Sequence, residues 1–108
     1  MVRALLPSAV HSMLDASPDR VLLLDVREPE ERATAAIDPS VHIPMDQVPE
    51  HLADLPRDRT IVVYCHHGGR SEMVASYLEG EGYPDVVNLS GGIDRWSVEV
   101  DRTVPRYT

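Results

Sequence analysis

The sequence predicts an α/β domain with a largely parallel central sheet that helices cover on both faces. Residues 21–24 and 61–64 are continuous apolar runs, without the polar alternation of a half-exposed strand, which indicates strands buried on both faces. Residues 86–89 form the last predicted strand. Segments with helical signals separate these strands, and such alternation is typical of a parallel sheet.

Three further elements are predicted in the first half of the chain. A helix begins near Ser8, and Ser17 with Pro18 ends it. A short helix begins at about Pro29, because proline suits a first helical turn. Residues 41–43 read as a brief strand.

Three helices are predicted in the second half. The first follows Asp46, and its apolar face carries Val48, Leu52 and Leu55. The second begins at Arg70, and its apolar face is predicted to carry Met73, Val74, Tyr77 and Leu78. The third follows residues 90–92 and bears Ile93 and Trp96, with Trp96 in the core.

Length and composition restrict the classes of function. The 108 residues predict one domain, residues 1–108, that can bury a core. A formal net charge of −8 argues against a nucleic-acid partner, since a phosphate-binding face needs clustered Lys and Arg. No apolar stretch approaches the length of a signal peptide core or a membrane span. A single cysteine fits a reducing compartment, so we expect a cytoplasmic protein without a membrane partner.

The most informative segment is the loop after the second apolar strand, Cys65-His66-His67-Gly68-Gly69-Arg70-Ser71. It places the only cysteine between a strand end and a helix start, where inward-pointing N–H groups favour a thiolate. Gly68 and Gly69 allow positive φ and close approach of the backbone to an anion. Arg70 is unfavourable at a helix start unless an anion lies between it and the helix end.

The roles of the two histidines stay open. His66 and His67 either line the mouth of the site or are ordinary polar loop residues. One cysteine with scattered histidines does not form a structural zinc site, and no Gly-Lys-Ser/Thr follows the glycines as a nucleotide loop requires. We therefore expect neither a metal nor a cofactor.

A second group of polar residues lies at the same predicted edge of the sheet. Asp25 follows a buried strand, as Cys65 does, and parallel strands end on one edge. Its carboxylate either accepts loop N–H groups, pairs with Arg27, or belongs to a solvated turn. The acidic run of Glu28, Glu30 and Glu31 is read as a solvated first helical turn. In the C-terminal tail, Pro105 and Tyr107 are candidates for packing back on the domain.

These segments, in this order, resemble a single-domain rhodanese, a member of the rhodanese-like sulfurtransferase family. The resemblance rests on residues 23–31, 42–44, 62–71 and 87–96, and it covers nearly the whole chain. It implies that Cys65 takes a sulfane sulfur from a small sulfur-containing anion such as thiosulfate and forms a persulfide. Cyanide or a thiol then removes the sulfur, and a sulfur-accepting protein is a further candidate acceptor.

The resemblance also implies roles for neighbouring residues. The loop N–H groups from about His66 to Arg70 surround the transferred sulfur, Arg70 binds the anionic donor, and Asp25 and Arg27 support the site. Residues 35–40 depart from the family pattern, since only Ile37 fits and Pro39 replaces a glycine. The local turn is therefore expected to differ there.

Two other functions remain as alternatives. Phosphatases and arsenate reductases of similar fold have five residues between cysteine and arginine, whereas here only four, residues 66–69, separate Cys65 from Arg70. The shorter loop favours sulfur over a tetrahedral oxyanion. The other alternative is a persulfide carrier, or delivery domain, that hands sulfur to one partner protein and turns over small molecules poorly.

Overall fold

All five strands of the central sheet run parallel, in the order β1-β5-β4-β2-β3. In this computed structural model, which describes residues 2–108, the strands are β1 Arg3–Leu5, β2 Val21–Asp25, β3 Val41–His42, β4 Thr60–Tyr64 and β5 Val86–Leu89. The α-helices are α1 Pro7–Ala16, α2 Pro29–Thr34, α3 Gly69–Gly80 and α4 Gly92–Glu99. The predicted fold class is therefore confirmed, although the sequence did not reveal strand β1.

The sheet is buried on both faces because alternate side chains of its central strands enter two separate cores. One core joins Leu24, Ile61 and Val63 to residues of α3. The other joins Val62 and Leu89 to residues of α1 and α4, namely Val10, Ile93 and Trp96. Burial on both faces explains why β2 and β4 are continuously apolar. The predicted core position of Trp96, which is 5% exposed, is confirmed.

The segment after Asp46 differs from its prediction as one helix. It forms two 3₁₀ pieces, Met45–Gln47 and Pro49–Asp54, and the backbone leaves helical geometry at His51. Pro49, the first residue of the second piece, has no N–H to donate to the preceding turn, which favours short, tight turns over a continuous α-helix. The predicted apolar side is still used, since Val48 and Leu55 are buried.

Helix α3 buries Val74 and Leu78 as predicted, but Ser71 and Ala75 are buried where Met73 and Tyr77 were predicted. Its buried residues are Ser71, Val74, Ala75 and Leu78, at helical spacing, whereas Met73 is 66% exposed and Tyr77 is 37% exposed. Small side chains at 71 and 75 allow the helix to lie close to β4 and β5. Met73 and Tyr77 were predicted to be buried because their side chains are large and apolar, whereas close packing of the helix favours the smaller Ser71 and Ala75.

The turn between β5 and α4 packs directly against the segment that follows β4. The first backbone N–H groups of α4 bind that segment: Ile93 N–H donates to the Cys65 carbonyl at 2.9 Å, and Asp94 N–H donates to the His66 carbonyl at 3.2 Å. Gly92, immediately before these two residues, has φ +62°, and a Cβ there would come within 2.4 Å of the Cys65 and His66 carbonyl oxygens. Only glycine allows this approach, which positions the cysteine loop.

Within residues 2–108, none of the helices has the length and apolar character needed to cross a membrane.

We predict that Gly92→Ala lowers the free energy of unfolding by at least about 2 kcal/mol, because the new Cβ overlaps backbone oxygens and φ is strained. Gly69→Ala is the matched control, since a Cβ there meets no atom within 4 Å and the residue lies in α3. Urea unfolding of both variants measures the difference. Equal stability of the two variants would contradict the inferred close contact.

Candidate active site

Cys65 lies directly after β4, and its thiol is enclosed by hydrogen-bond donors. The residue is only 1% exposed. Its Sγ accepts the backbone N–H of Gly68 at 3.1 Å and that of Ser71 at 3.4 Å, and it lies 3.4 Å from Ser71 Oγ. We call the backbone N–H groups of Gly68 and Ser71, with the Ser71 hydroxyl beside them, the thiol cradle. The hydroxyl donates its one proton to Asn88, so the two N–H groups are the donors to Sγ. They stabilise negative charge on sulfur at the start of α3.

The cradle depends on a left-handed residue and on a polar contact from β5. Gly68 has φ +117°, which turns the chain into α3. The Gly68 carbonyl accepts a hydrogen bond from Asn88 Nδ2 at 3.1 Å, and the Ser71 hydroxyl donates a hydrogen bond to Asn88 Oδ1 at 2.5 Å. Gly69, which could also have adopted positive φ, begins α3 without it. No role was predicted from the sequence for Ser71 or Asn88, although Ser71 is the last residue of the segment from Cys65 to Ser71.

Arg70 does not point freely into the site but forms a two-pronged ion pair. Its Nη1 and Nη2 donate to Glu31 Oε1 at 2.7 Å and Oε2 at 2.9 Å. The reading of Glu31 as a solvated residue of the acidic run is therefore wrong, since its side chain is only 18% exposed. The hydrogen bonds from Arg70 lower the pKa of Glu31 to about 2. Those same bonds raise the pKa of Arg70.

Tyr107, in the C-terminal tail, lies beside the ion pair between Arg70 and Glu31 and forms part of the wall of the site. Its hydroxyl donates to Glu31 Oε2 at 2.7 Å and accepts from Arg27 Nη1 at 2.9 Å. Its ring stacks on His66 with a centroid distance of 4.0 Å and an interplanar angle of 10°. Burial raises the pKa of Tyr107 to about 12, so the phenol is neutral at physiological pH. The expected packing of the tail at Tyr107 is thus present, and it occurs at the site.

The two histidines occupy different environments. His66 lies between Tyr107 and His67, and its buried Nε2 has no hydrogen-bond partner among the described residues. Burial, followed by the neighbouring His67, lowers the pKa of His66, which favours its neutral form. The His67 side chain is 68% exposed, with Nδ1 4.0 Å from Asp94 Oδ2. His66 therefore contributes to the wall of the site, while His67 lies at its outer surface.

Asp25 and Arg27 form a fully buried ion pair at the sheet edge where Cys65 lies. Both side chains are 0% exposed, and Arg27 Nη2 donates to Asp25 Oδ2 at 2.7 Å and to the Ala35 carbonyl at 2.7 Å. Of the three roles considered for Asp25, the structure has the pairing with Arg27. The carboxylate contacts neither solvent nor the cysteine loop.

The Asp25 carboxylate is held charged by its neighbours. Burial alone would raise the pKa of Asp25, but the hydrogen bonds from Arg27, with a further one from Arg32, hold it below its usual value. The Tyr64 hydroxyl also donates to Asp25, at 3.2 Å. Arg27 then connects this pair to Tyr107, and Tyr107 connects it to Glu31 and Arg70.

Residues 35–40, which depart from the family sequence pattern, pack against the buried residues around Asp25 and Tyr64. Ile37 is buried, and its N–H donates to the Tyr64 hydroxyl at 3.2 Å. Ser40 contacts both the Tyr64 hydroxyl and Arg32, and the bond between Asp38 and Pro39 is cis. Among residues 2–108, no group of three or more His, Cys, Asp and Glu side chains is arranged to hold a metal ion.

We predict that Glu31 stabilises the fold in a pH-dependent manner. Because its folded pKa of about 2 lies below the ordinary 4.5, its contribution is complete above about pH 4.5 and is lost as pH falls toward 2. The free energy of unfolding of the wild type should exceed that of Glu31→Gln by about 1–2 kcal/mol at pH 7. Urea unfolding at several pH values should show this difference shrinking below pH 4.5.

The control is Glu30→Gln, which removes the same charge from an exposed position of the same helix. A difference between wild type and Glu31→Gln that stays constant down to pH 2 would contradict the pairing of Glu31 with Arg70.

Comparison with known proteins places this geometry in a family. The sequence model of the Rhodanese-like domain matches residues 6–99. A sulfurtransferase of Allochromatium vinosum is 40% identical over 82 residues, covering 76% of this chain and 77% of that protein. Thiosulfate sulfurtransferase GlpE of Pseudomonas syringae is 35% identical over 75 residues, covering 69% of this chain and 71% of that protein.

A solved structure gives the same result for the fold. The rhodanese-like domain protein from Staphylococcus aureus superposes with a TM-score of 0.84 at 30% sequence identity, covering 99% of this chain and 100% of that one. Sequence and structure agree with the resemblance that residues 23–31, 42–44, 62–71 and 87–96 suggested. The chain belongs to the rhodanese-like domain family.

Proposed function

We propose that the protein is a sulfurtransferase that moves a sulfane sulfur from a donor such as thiosulfate to a nucleophilic acceptor through a persulfide on Cys65. The observation that carries the proposal is the thiol cradle, which directs two backbone N–H groups at Sγ, at 3.1 and 3.4 Å. The names of the relatives support it, since one is a sulfurtransferase and another a thiosulfate sulfurtransferase.

In the first half-reaction, the Cys65 thiolate attacks the outer sulfur of thiosulfate. The sulfur–sulfur bond of the donor breaks, and sulfite leaves with the electron pair. The product is a persulfide whose terminal sulfur carries negative charge. Donors fixed in advance around that position stabilise the charge without reorganisation, as oxyanion holes do for oxygen. In this proposal, His66, His67, Gly68, Gly69 and Arg70 form the walls that bind the donor.

In the second half-reaction, cyanide or a thiolate attacks the terminal sulfur, and the Cys65 thiolate leaves. Division of the transfer into two covalent steps predicts ping-pong kinetics. The cellular acceptor is proposed to be a thiol, either of a small molecule or of a sulfur-accepting protein. A reduced lone cysteine fits the cytoplasm as the place of action. Asp25 and Arg27 support the site through Tyr107 and do not react.

We predict that brief incubation with thiosulfate adds one sulfur atom to the wild-type protein and none to Cys65→Ser. Because Cys65 is the only cysteine, intact mass spectrometry assigns the addition without digestion. Cyanide should remove the added sulfur. Thermal unfolding of Cys65→Ser serves as the control that the variant is folded.

Two results would contradict the proposed function. One is sulfur loading that persists in Cys65→Ser. The other is failure of the wild type to load from thiosulfate and from other sulfane donors while it releases phosphate from an aryl phosphate, which would favour phosphoryl chemistry.

We predict that Arg70→Ala reduces kcat/KM for thiosulfate about tenfold or more, and more than it reduces use of an uncharged polysulfide. The physical reason is loss of a charge-assisted contact to an anionic donor. The matched control is Arg20→Ala, which removes the same charge from an exposed residue before β2, at the opposite edge of the sheet from Cys65. Equal losses with both donors would show that Arg70 acts only through the fold.

A further inference from the structure

The guanidinium groups near the cysteine loop are already paired with carboxylates. Glu31 holds Arg70 with two hydrogen bonds, and Asp25 holds Arg27 out of contact with solvent. Arg106, in the tail, donates to both oxygens of Asp94 at 2.8 and 3.0 Å. Each of these guanidinium charges is therefore balanced by a carboxylate, which weakens its attraction for an anionic donor.

The surface beside Arg70 adds further negative charge. A concavity of about 150 Å³ is lined by Val26, Glu28, Met45, Asp46 and Arg70. Glu28 and Asp46 are both exposed, so their charges face the solvent from which a donor arrives. Like charges at such a rim disfavour a dianion and slow its approach.

The transferred sulfur and the rest of the donor meet different parts of the site. In the proposed reaction the sulfur lies next to Sγ, at the thiol cradle, where backbone N–H groups donate hydrogen bonds that stabilise its negative charge. The sulfonate oxygens of thiosulfate extend beyond the cradle, toward the mouth. There, Arg70 can bind them only if it gives up hydrogen bonds to Glu31, whose carboxylate would remain charged and keep only the neutral Tyr107 hydroxyl and Glu28 backbone N–H as donors.

We propose that Glu31 is a specificity-determining residue: by holding Arg70, it biases the site away from dianionic thiosulfate and toward hydropersulfides, RS–SH, which carry no sulfonate charge beyond the sulfur that is transferred. This proposal rests on the sulfurtransferase function proposed above. With a hydropersulfide RS–SH, the Cys65 thiolate attacks the outer sulfur and the sulfur–sulfur bond breaks. The carrier thiolate leaves with the electron pair of that bond and takes up the proton that the outer sulfur carried. The products are the Cys65 persulfide and a free thiol.

The test compares two donors on wild type, Glu31→Gln and Glu30→Gln. The donors are thiosulfate and the hydropersulfide of 2-mercaptoethanol, whose carrier is uncharged. The second-order rate constant of Cys65 loading is measured by quenched-flow mass spectrometry. Glutamine at 31 retains one oxygen that can accept the Tyr107 hydroxyl, but it has neither the charge nor the second acceptor oxygen that hold Arg70. Glu30→Gln controls for net charge, because Glu30 is exposed on the same helix.

We expect the ratio of the thiosulfate rate constant to the hydropersulfide rate constant to rise about tenfold in Glu31→Gln and to stay unchanged in Glu30→Gln. The gain should shrink at high salt, because exposed charges are screened. It should also be absent in the double variant Glu31→Gln/Arg70→Ala, which has no guanidinium to release. Glu31→Ala provides a second removal of the carboxylate if the glutamine variant folds poorly.

An unchanged or lower ratio in the Glu31 variants would overturn the proposal, as would a gain that persists in the double variant. The failure of the underlying function would look different. In that case, the wild type would load sulfur from neither donor, and no ratio could be formed.

Discussion

The buried ion pair between Asp25 and Arg27 is the interaction on which the rest of this edge of the sheet depends. Burial of two charges carries a large desolvation cost, which only good geometry and additional hydrogen bonds offset. Here the carboxylate also accepts the Arg27 backbone N–H, the Tyr64 hydroxyl and Arg32, and the guanidinium also binds the Ala35 carbonyl and Tyr107. These partners belong to four parts of the chain: the end of β2, β4, helix α2 with the residue after it, and the C-terminal tail. The buried pair therefore joins these four parts.

This arrangement separates two tasks that the short segment from Cys65 to Ser71 must perform. Backbone N–H groups and Ser71 face the sulfur, and their position follows from Gly68, Asn88 and the start of α3. The charged side chain of Arg70 faces away, toward Glu31, and its position follows from Tyr107 and the buried pair. The neutral cradle and the charged rim can therefore change independently. A change at the rim alters which donors approach without moving the groups that hold the sulfur.

The sequence allowed prediction of the parts that local patterns determine. The apolar runs at residues 21–24 and 61–64, and the glycines after Cys65, predicted the parallel sheet and the loop because burial on both faces and a strand-loop-helix turn leave strong local signals. Strand β1 has only three residues, two of them exposed, so no pattern marks it. The ion pair of Glu31 with Arg70 joins residues 39 apart, and the contact of Tyr107 with Glu31 joins residues 76 apart. Such pairings depend on the folded arrangement and not on any local spacing, which is why Glu31 was misread as solvated.

The topology of the sheet also determines when the site can exist. Strand β1 pairs with β5, so Arg3 lies beside Val87, and the tail returns from residue 107 to residues 27 and 31. Contacts between such distant segments form late, because closing long loops costs entropy before any contact compensates for it. Asn88, which holds Gly68 and Ser71, belongs to that same late strand. In a nascent or partly unfolded chain, Cys65 therefore lacks the thiol cradle. The site becomes able to react only when the whole domain has folded.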